Sequence, residues 1–166
     1  MANSDFLTSF YFSVKLSGQS GGVDAAFQEV SGLNRETVIE EVISGGENRF
    51  NYRLPGHTRY SNLVLKRGVA LVDSPLIDWC KHTMDDGLMS PVQTKTIMVS
   101  LFDERGMTRL SWNFMKAYPV KYAMADLKSQ ESNILVETIE LAYQYFEVDD
   151  SRIDQYAGIS SLFGGA

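Results

Sequence analysis

The basic residues between positions 46 and 68 are the first group in this sequence whose types and spacing could carry chemistry. The stretch reads GENRFNYRLPGHTRYSNLVLKRG, in a chain of 166 residues whose net charge is −6. Its cations are Arg49, Arg53, Arg59, Lys66 and Arg67. A catalytic site, a nucleic-acid groove and a self-association surface would each use such a run.

The histidines, the cysteine and the paired carboxylates do not form a catalytic or metal-binding pattern. His82 follows Cys80 by two positions on a predicted helix, so the two side chains diverge by about 200°. His57 has no second histidine nearby in the sequence, which argues against a metal site. Neighbouring carboxylates such as Asp85–Asp86 point apart on a helix or a strand. The sequence therefore predicts neither an enzyme nor a cofactor.

Acidic residues precede the basic run and give the segment two arms of opposite charge. The acidic arm is ETVIEEVISGGE, and Gly45–Gly46 turns it into the basic arm. Nucleic-acid binding needs only one sign of charge, so four glutamates and a negative net charge argue against base stacking on Phe50 and Tyr52.

Two interpretations of the charged arms remain. In the first, they form a hairpin whose cross-strand ion pairs neutralise each other, at a few tenths of a kcal/mol each. In the second, which we favour, the two signs join copies of the chain head to tail into a closed ring or a stack. The predicted subunit-interface residues are Glu36, Glu40, Glu41, Glu47, Arg49, Arg53, Arg59, Tyr60, Lys66 and Arg67.

Alternating apolar and polar residues predict the strands that must position this surface. The alternation is clear at 10–16, and it recurs at 95–103 and 107–115, which a turn at 104–106 joins as a hairpin. Pro119 predicts a break or an edge. The segment 134–146 predicts one long strand, with Tyr143 and Tyr145 on the same apolar face as Leu135, Ile139 and Leu141. Because its other face is only partly polar, that strand is expected in a sandwich interior or a subunit interface.

One segment, DSPLIDWCKHTMDDG, carries the signals of a helix. Asp73 is the predicted N-cap, Pro75 lies in the first turn, and Gly87 ends the helix. The predicted apolar stripe consists of Leu76, Ile77, Cys80 and Met84. The predicted fold is mainly β, an antiparallel β-sandwich or barrel with one flanking α-helix.

Composition changes near position 149 and divides the chain into a domain at 1–148 and a C-terminal extension at 149–166. The chain is long enough to bury a core without metal or disulfide support, and its single cysteine fits a reducing compartment. It has no basic region of a secretory signal and no apolar run of about 20 residues, so we expect no membrane binding by the protein itself.

The order of these motifs resembles that of the phage tail tube proteins. The resemblance covers residues 6–148 and is carried by FQEVSGLNRETVIEEV, GGENRFNYRLPGHTRY, NLVLKRG, the helix, and WNFMKAYPVKYAM. It implies a tail-tube fold that closes into homohexameric rings, which stack around a lumen. The predicted hairpin at 36–67 would then act at contacts between subunits and rings.

The resemblance also implies partners and a location. The expected partners are other copies of the chain, a sheath protein, baseplate or hub proteins, and DNA or a protein effector as luminal cargo. Assembly is expected in the bacterial cytoplasm, and the product is a virion tail or a released contractile injection particle. A tube-initiating relative at the baseplate or a terminator is the close alternative, because residues 149–166 extend beyond the end expected of a main tube subunit. A monomeric β-sandwich that binds a ligand is the alternative from another class.

Overall fold

The computed structural model of the protein describes residues 11–18, 24–69, 74–125 and 135–150. Within these ranges it contains nine β-strands, one α-helix and a short 3-10 helix at Gly87–Met89. The elements are β1 (Tyr11–Leu16), β2 (Asp24–Ser31), β3 (Arg35–Val42), β4 (Tyr52–Tyr60), β5 (Leu63–Gly68), α1 (Pro75–Asp85), β6 (Lys95–Phe102), β7 (Thr108–Met124), β8 (Val136–Ala142) and β9 (Tyr145–Asp150).

Seven strands form one antiparallel sheet that closes on itself. The strand order is β6-β1-β2-β5-β8-β7-β9, and a further pairing between β6 and β7 completes a ring of six strands. Closure removes the free edges that an open sheet would leave along those strands. The predicted mainly antiparallel β fold with one flanking helix is confirmed, and the barrel is its observed form.

The interior of the ring is filled by the alternate residues that the sequence pattern predicts. Ile97 of β6 lies opposite Phe114 of β7, and both residues are fully buried, as is Val99. The predicted hairpin of β6 and β7 is confirmed, with Gly106 in a left-handed conformation at the turn (φ 76°). Helix α1 packs against β7. Phe10, which the alternation places at the start of the first strand, lies outside the described residues.

The predicted long strand at 134–146 is interrupted in the structure. Strand β8 ends at Ala142, and β9 begins at Tyr145, with Tyr143 and Gln144 between them. The Gln144 N–H donates to the Met115 carbonyl at 3.0 Å. Because of this interruption, the inward face passes from Tyr143 to Phe146, which is buried, while Tyr145 is 42% exposed. The prediction that Tyr145 shares the inward face is therefore wrong.

Strand β7 is longer than the sequence pattern indicates. It continues through Pro119, so the prediction of a break there is wrong. The pairing of β7 with β6 ends at Ala117, however, so Pro119 is paired only with β8 among the described strands, which agrees with the predicted edge. The pairing of β7 with β8 shifts register between Pro119 and Lys121, and such an irregularity tolerates a residue that lacks an N–H donor. Lys116, with a φ of 52°, marks the point where the strand's partner changes from β9 to β8.

The helix begins one residue later than predicted. Ser74 is the N-cap, in place of the predicted Asp73, and its hydroxyl accepts a hydrogen bond from the Ile77 N–H at 3.3 Å. Trp79 is buried on the core-facing side, whereas Met84, predicted in the apolar stripe, is 40% exposed. The buried face of the helix therefore consists of Leu76, Ile77, Trp79 and Cys80, and it lies closer to the N-terminus of the helix than predicted.

Strands β3 and β4 form a separate two-stranded sheet, which we call the arm. The predicted hairpin reached residue 67, but the arm ends at Tyr60, because β5 belongs to the barrel. At the base of the arm, Gly32 has a φ of 85°, and a Cβ there would lie 1.9 Å from the Asn62 carbonyl oxygen. Only glycine fits this contact.

Candidate assembly surface

The arm brings the predicted acidic and basic residues into register across two antiparallel strands. Glu41 pairs with Arg53, and Glu36 pairs with Arg59. Most side chains of both strands are exposed, because the arm has solvent on both of its faces. The structure therefore brings the predicted interface residues at 36–59 together on one projecting element.

Some acidic and basic side chains of the arm form ion pairs with each other within the chain. Arg49 donates through Nε and Nη2 to the two carboxylate oxygens of Glu47, at 2.9 Å in each case. This contact holds the pKa of Glu47 below its usual range and raises the pKa of Arg49. Arg53 Nε lies 4.0 Å from the Glu41 carboxylate. Such exposed pairs contribute little to folding, and their charges stay accessible to another molecule.

The far end of the arm also exposes apolar side chains. Ile43 is 79% exposed, and Phe50 and Tyr52 contact each other edge to face with ring centroids 5.3 Å apart. We call this set the tip patch, and it consists of Val42, Ile43, Phe50, Tyr52 and Leu54. A cluster of exposed large apolar residues on a projecting hairpin is typical of a protein contact surface. These residues are absent from the predicted interface, although the alternation of RFNYRL signals three of them.

Three of the predicted interface residues lie on or against the barrel. Lys66 pairs with Glu29 at 2.9 Å across β5 and β2, near the surface. Tyr60 packs at the base of the arm, where its ring centroid lies 5.6 Å from that of Phe146. Arg67 is only 4% exposed and therefore does not belong to an exposed basic run.

Arg67 instead belongs to a polar network inside the barrel. Its guanidinium bonds the carboxylate of Glu137, which is also buried, and stands 5.5 Å from the centre of the Phe27 ring. The Tyr122 hydroxyl donates to the same carboxylate at 3.0 Å. Burial, and then the Glu137 contact, raise the pKa of Tyr122 to about 12. The Glu137 carboxylate, which is buried, therefore accepts hydrogen bonds from both Arg67 and Tyr122, and the buried ion pair is not left without partners.

The strands, the arm and the helix occur in the order of a known family. The profile of the T4-like virus tail tube protein gp19 matches residues 8–147. The chain belongs to this tail tube family. The match includes the whole arm and the sheet strands through the first half of β9, and the predicted resemblance is confirmed.

Solved structures that are similar to the tail tube chain include components of contractile injection systems. It is 28% identical to a chain of the anti-feeding prophage baseplate, 6-fold symmetrised, with a TM-score of 0.73 and coverage of 90% of this chain and 98% of that one. A chain of the PVC sheath–tube complex in its extended state has 23% identity, a TM-score of 0.72 and coverage of 89% and 94%. Hcp1 from Flavobacterium johnsoniae shares the fold at 17% identity, with a TM-score of 0.54 and coverage of 85% and 96%. Among curated proteins, none matches significantly.

Two further observations concern the described part of this tail tube protein. Among its residues, no three His, Cys, Asp or Glu side chains cluster closely enough to hold a metal ion. None of its helices within the described ranges is long and apolar enough to cross a membrane. Residues 151–166 of the predicted C-terminal extension lie outside the description, so the boundary near 148 stays a prediction.

Proposed function

We propose that the protein is a structural, non-enzymatic subunit of the inner tube of a contractile phage tail or phage-like injection system. In this proposal it forms homohexameric rings, and the rings stack around a lumen. The observation that carries the proposal is a closed barrel bearing a projecting arm with exposed apolar and oppositely charged residues. Membership of the tail tube family and the likeness to a chain of a 6-fold symmetrised baseplate support it.

The arm suits assembly because its exposed residues contribute little to the fold of its own chain. Ile43 and Phe50 gain free energy only when a neighbour removes their apolar surface from water, at about 25 cal/mol per Å². The charged residues beside them orient the neighbour and exclude wrong registers. An obligate interface of this kind buries on the order of 2,000 Å² or more.

The proposed partners follow from the family and from the solved relatives. Sheath and baseplate proteins would contact the outside and the end of the tube, since similar chains occur in the PVC sheath–tube complex and in the anti-feeding prophage baseplate. DNA or a protein effector would pass through the lumen as cargo. Assembly would take place in the bacterial cytoplasm, followed by release in a virion tail or an injection particle.

A tube-initiating subunit at the baseplate is the second candidate. The most identical solved relative given above comes from a baseplate structure, and residues 148–166 of this chain lie beyond the family match. An initiator would form single rings on a baseplate, whereas a main tube subunit would polymerise without one. Purified protein that forms long tubes alone would exclude the initiator role.

Light scattering coupled to size exclusion, followed by electron microscopy, tests the proposal. We expect a species of six subunits and ring-shaped particles, with stacks at higher concentration. A species that remains strictly monomeric at high micromolar concentration would contradict the proposal and favour the monomeric binding protein.

A further inference from the structure

Strand β9 lies outside the ring of six strands, and its inner face extends past the end of the core. It pairs with β7 at one end of the strand order. Phe114 and Phe146 lie opposite each other on these two strands, and both are buried in the core cluster. Two residues further along each strand, Trp112 pairs with Val148, which is 45% exposed. The apolar side of this strand pair therefore continues beyond the part that the barrel covers.

Three residues form the uncovered end of this face, and we call them the end patch: Leu110, Trp112 and Val148. Leu110 and Trp112 are half-buried. Leu110 lies opposite Leu101, which is buried, so the end patch adjoins the barrel interior. Met107 lies on the turn just before this end of β7 and is 61% exposed. Apolar surface that adjoins a core gains free energy when another chain segment removes it from water.

The chain continues directly from this end of the sheet. Asp150, the last residue of β9, pairs with Leu110. Residues 151–166 follow it and contain only one acidic and one basic residue. An extended chain advances by about 3.3 Å per residue, so a few residues beyond Asp150 are enough to reach a patch that is two strands wide. The large apolar residues of this segment are Ile153, Tyr156, Ile159, Leu162 and Phe163.

We infer that residues 151–166 fold back over the end patch of their own subunit and cover it. Two observations select this segment as the occupant. It begins at the edge of the end patch, and its apolar side chains match the apolar surface there. The match to the tail tube family ends at residue 147, so the covering segment lies beyond the family domain. The contact forms within one subunit and does not depend on the proposed tube.

The two tryptophans of the chain allow a direct test, because Trp112 belongs to the end patch and Trp79 lies on helix α1. Trp79→Phe leaves Trp112 as the only emitter, and Trp112→Phe leaves Trp79. In the Trp79→Phe background, acrylamide should quench a chain that ends at Asp150 about twofold more strongly than the full chain, because the cover is lost. In the Trp112→Phe background, the truncation should leave quenching unchanged. Equal quenching of Trp112 in both chain lengths would overturn the inference.

Disulfide formation in the full chain tests the same contact without truncation. Cys80→Ala removes the native thiol, and Met107→Cys with Ile159→Cys places one cysteine beside the end patch and one in the covering segment. Oxidation of dilute subunits should give a cross-linked monomer, which migrates faster than the reduced chain.

The matched control combines Val92→Cys with Ile159→Cys in the same Cys80→Ala background. Val92 is 45% exposed and precedes the first residue of β6, at the opposite end of that strand from the turn that carries Met107. The two cysteine pairs close loops of similar length, so the control should form roughly tenfold less intramolecular disulfide. Equal yields from the two pairs would overturn the inference.

The form of the product also identifies the occupant of the end patch. Disulfide-linked dimers in place of cross-linked monomers would assign the patch to a second copy and overturn the inference. The inference would also be overturned if deletion of residues 1–10, and not of residues 151–166, raised the quenching of Trp112. These results leave the tube proposal intact, whereas a wild type that never forms a species of six subunits contradicts the tube proposal alone.

Discussion

Arg67 shows how much the role of a single residue depends on where the fold places it. Its charge is indistinguishable in sequence from that of Lys66, its neighbour, yet Arg67 is buried with Glu137 and Lys66 pairs near the surface with Glu29. Removing one member of a buried ion pair leaves an unpaired charge in the interior, which costs about 3–5 kcal/mol. Glu137→Ala should therefore lower the free energy of unfolding by about that amount.

Chemical denaturation of matched variants checks this prediction. Lys66→Ala, which breaks the more exposed pair, should cost less than about 1 kcal/mol. Replacing both buried partners, with Arg67→Met and Glu137→Leu together, should cost less than Glu137→Ala alone, because no charge is then stranded. If Glu137→Ala and Lys66→Ala lowered the free energy of unfolding by the same amount, the buried network would stabilise the fold no more than the exposed pair does.

Two tyrosines should make the fold sensitive to alkaline pH. Burial raises the pKa of Tyr143 and of Tyr122 to about 12, whereas an unfolded tyrosine titrates near 10. The folded state favours the neutral phenol, so this contribution to stability is complete below a pH of about 10 and is lost as the pH rises towards 12.

The ultraviolet absorbance of tyrosinate measures that titration directly. Of the eight tyrosines, these two should ionise later than the average, and Tyr143→Phe should remove part of the late phase. Tyr118→Phe, at an exposed site, is the control and should leave the late phase unchanged. A late phase of unchanged size in Tyr143→Phe would contradict the assignment.

At the scale of the element, the arm should separate assembly from folding. Arg49→Glu with Arg53→Glu changes exposed side chains only, so the thermal transition of the subunit should shift by no more than a few degrees. Like charges would then meet at every subunit contact of a ring, and tubes should disappear from electron micrographs. Normal tubes from this double variant would support the interpretation in which the ion pairs act only within the hairpin.

The helix offers a smaller test at the same scale. Ser74 caps the first turn of α1 through its hydroxyl, and Ser74→Ala should cost about 1 kcal/mol in the free energy of unfolding. Ser74→Asp keeps an acceptor at the cap and should recover most of that loss. If both variants unfold at the wild-type denaturant concentration, the cap does not stabilise this helix.

At the scale of the whole molecule, local patterns predicted the elements better than they predicted the contacts between them. Alternation reveals the strands because each has one face in the core. The interruption at Gln144 escaped prediction because its backbone N–H bonds the Met115 carbonyl of a different strand. The burial of Arg67 escaped it because the counterion lies 70 positions away in the sequence. The charge pattern of the arm predicted a hairpin. The apolar residues at its tip were not predicted to be exposed, because an alternating strand pattern does not show whether its apolar face is covered by the core.

The C-terminal extension allows one prediction about the assembled particle. Residues 149–166 combine glycines and serines with apolar side chains such as Ile159, Leu162 and Phe163. A chain ending at residue 149 should keep the barrel and the ring but change how rings stack or attach to a baseplate. Electron microscopy of both lengths checks this, and loss of the folded subunit on truncation would instead place the extension in the core.

The closed ring of strands also determines when each part of the protein can form during synthesis. The arm joins strands that are adjacent in the chain, so it can form as soon as its residues leave the ribosome, on the microsecond timescale of hairpins. The barrel must wait, because β1 pairs with β6 and β5 pairs with β8. Such distant pairings make folding slow. The strands of the arm can therefore begin to pair before the chain has a core, and productive contacts between copies must await the last strands.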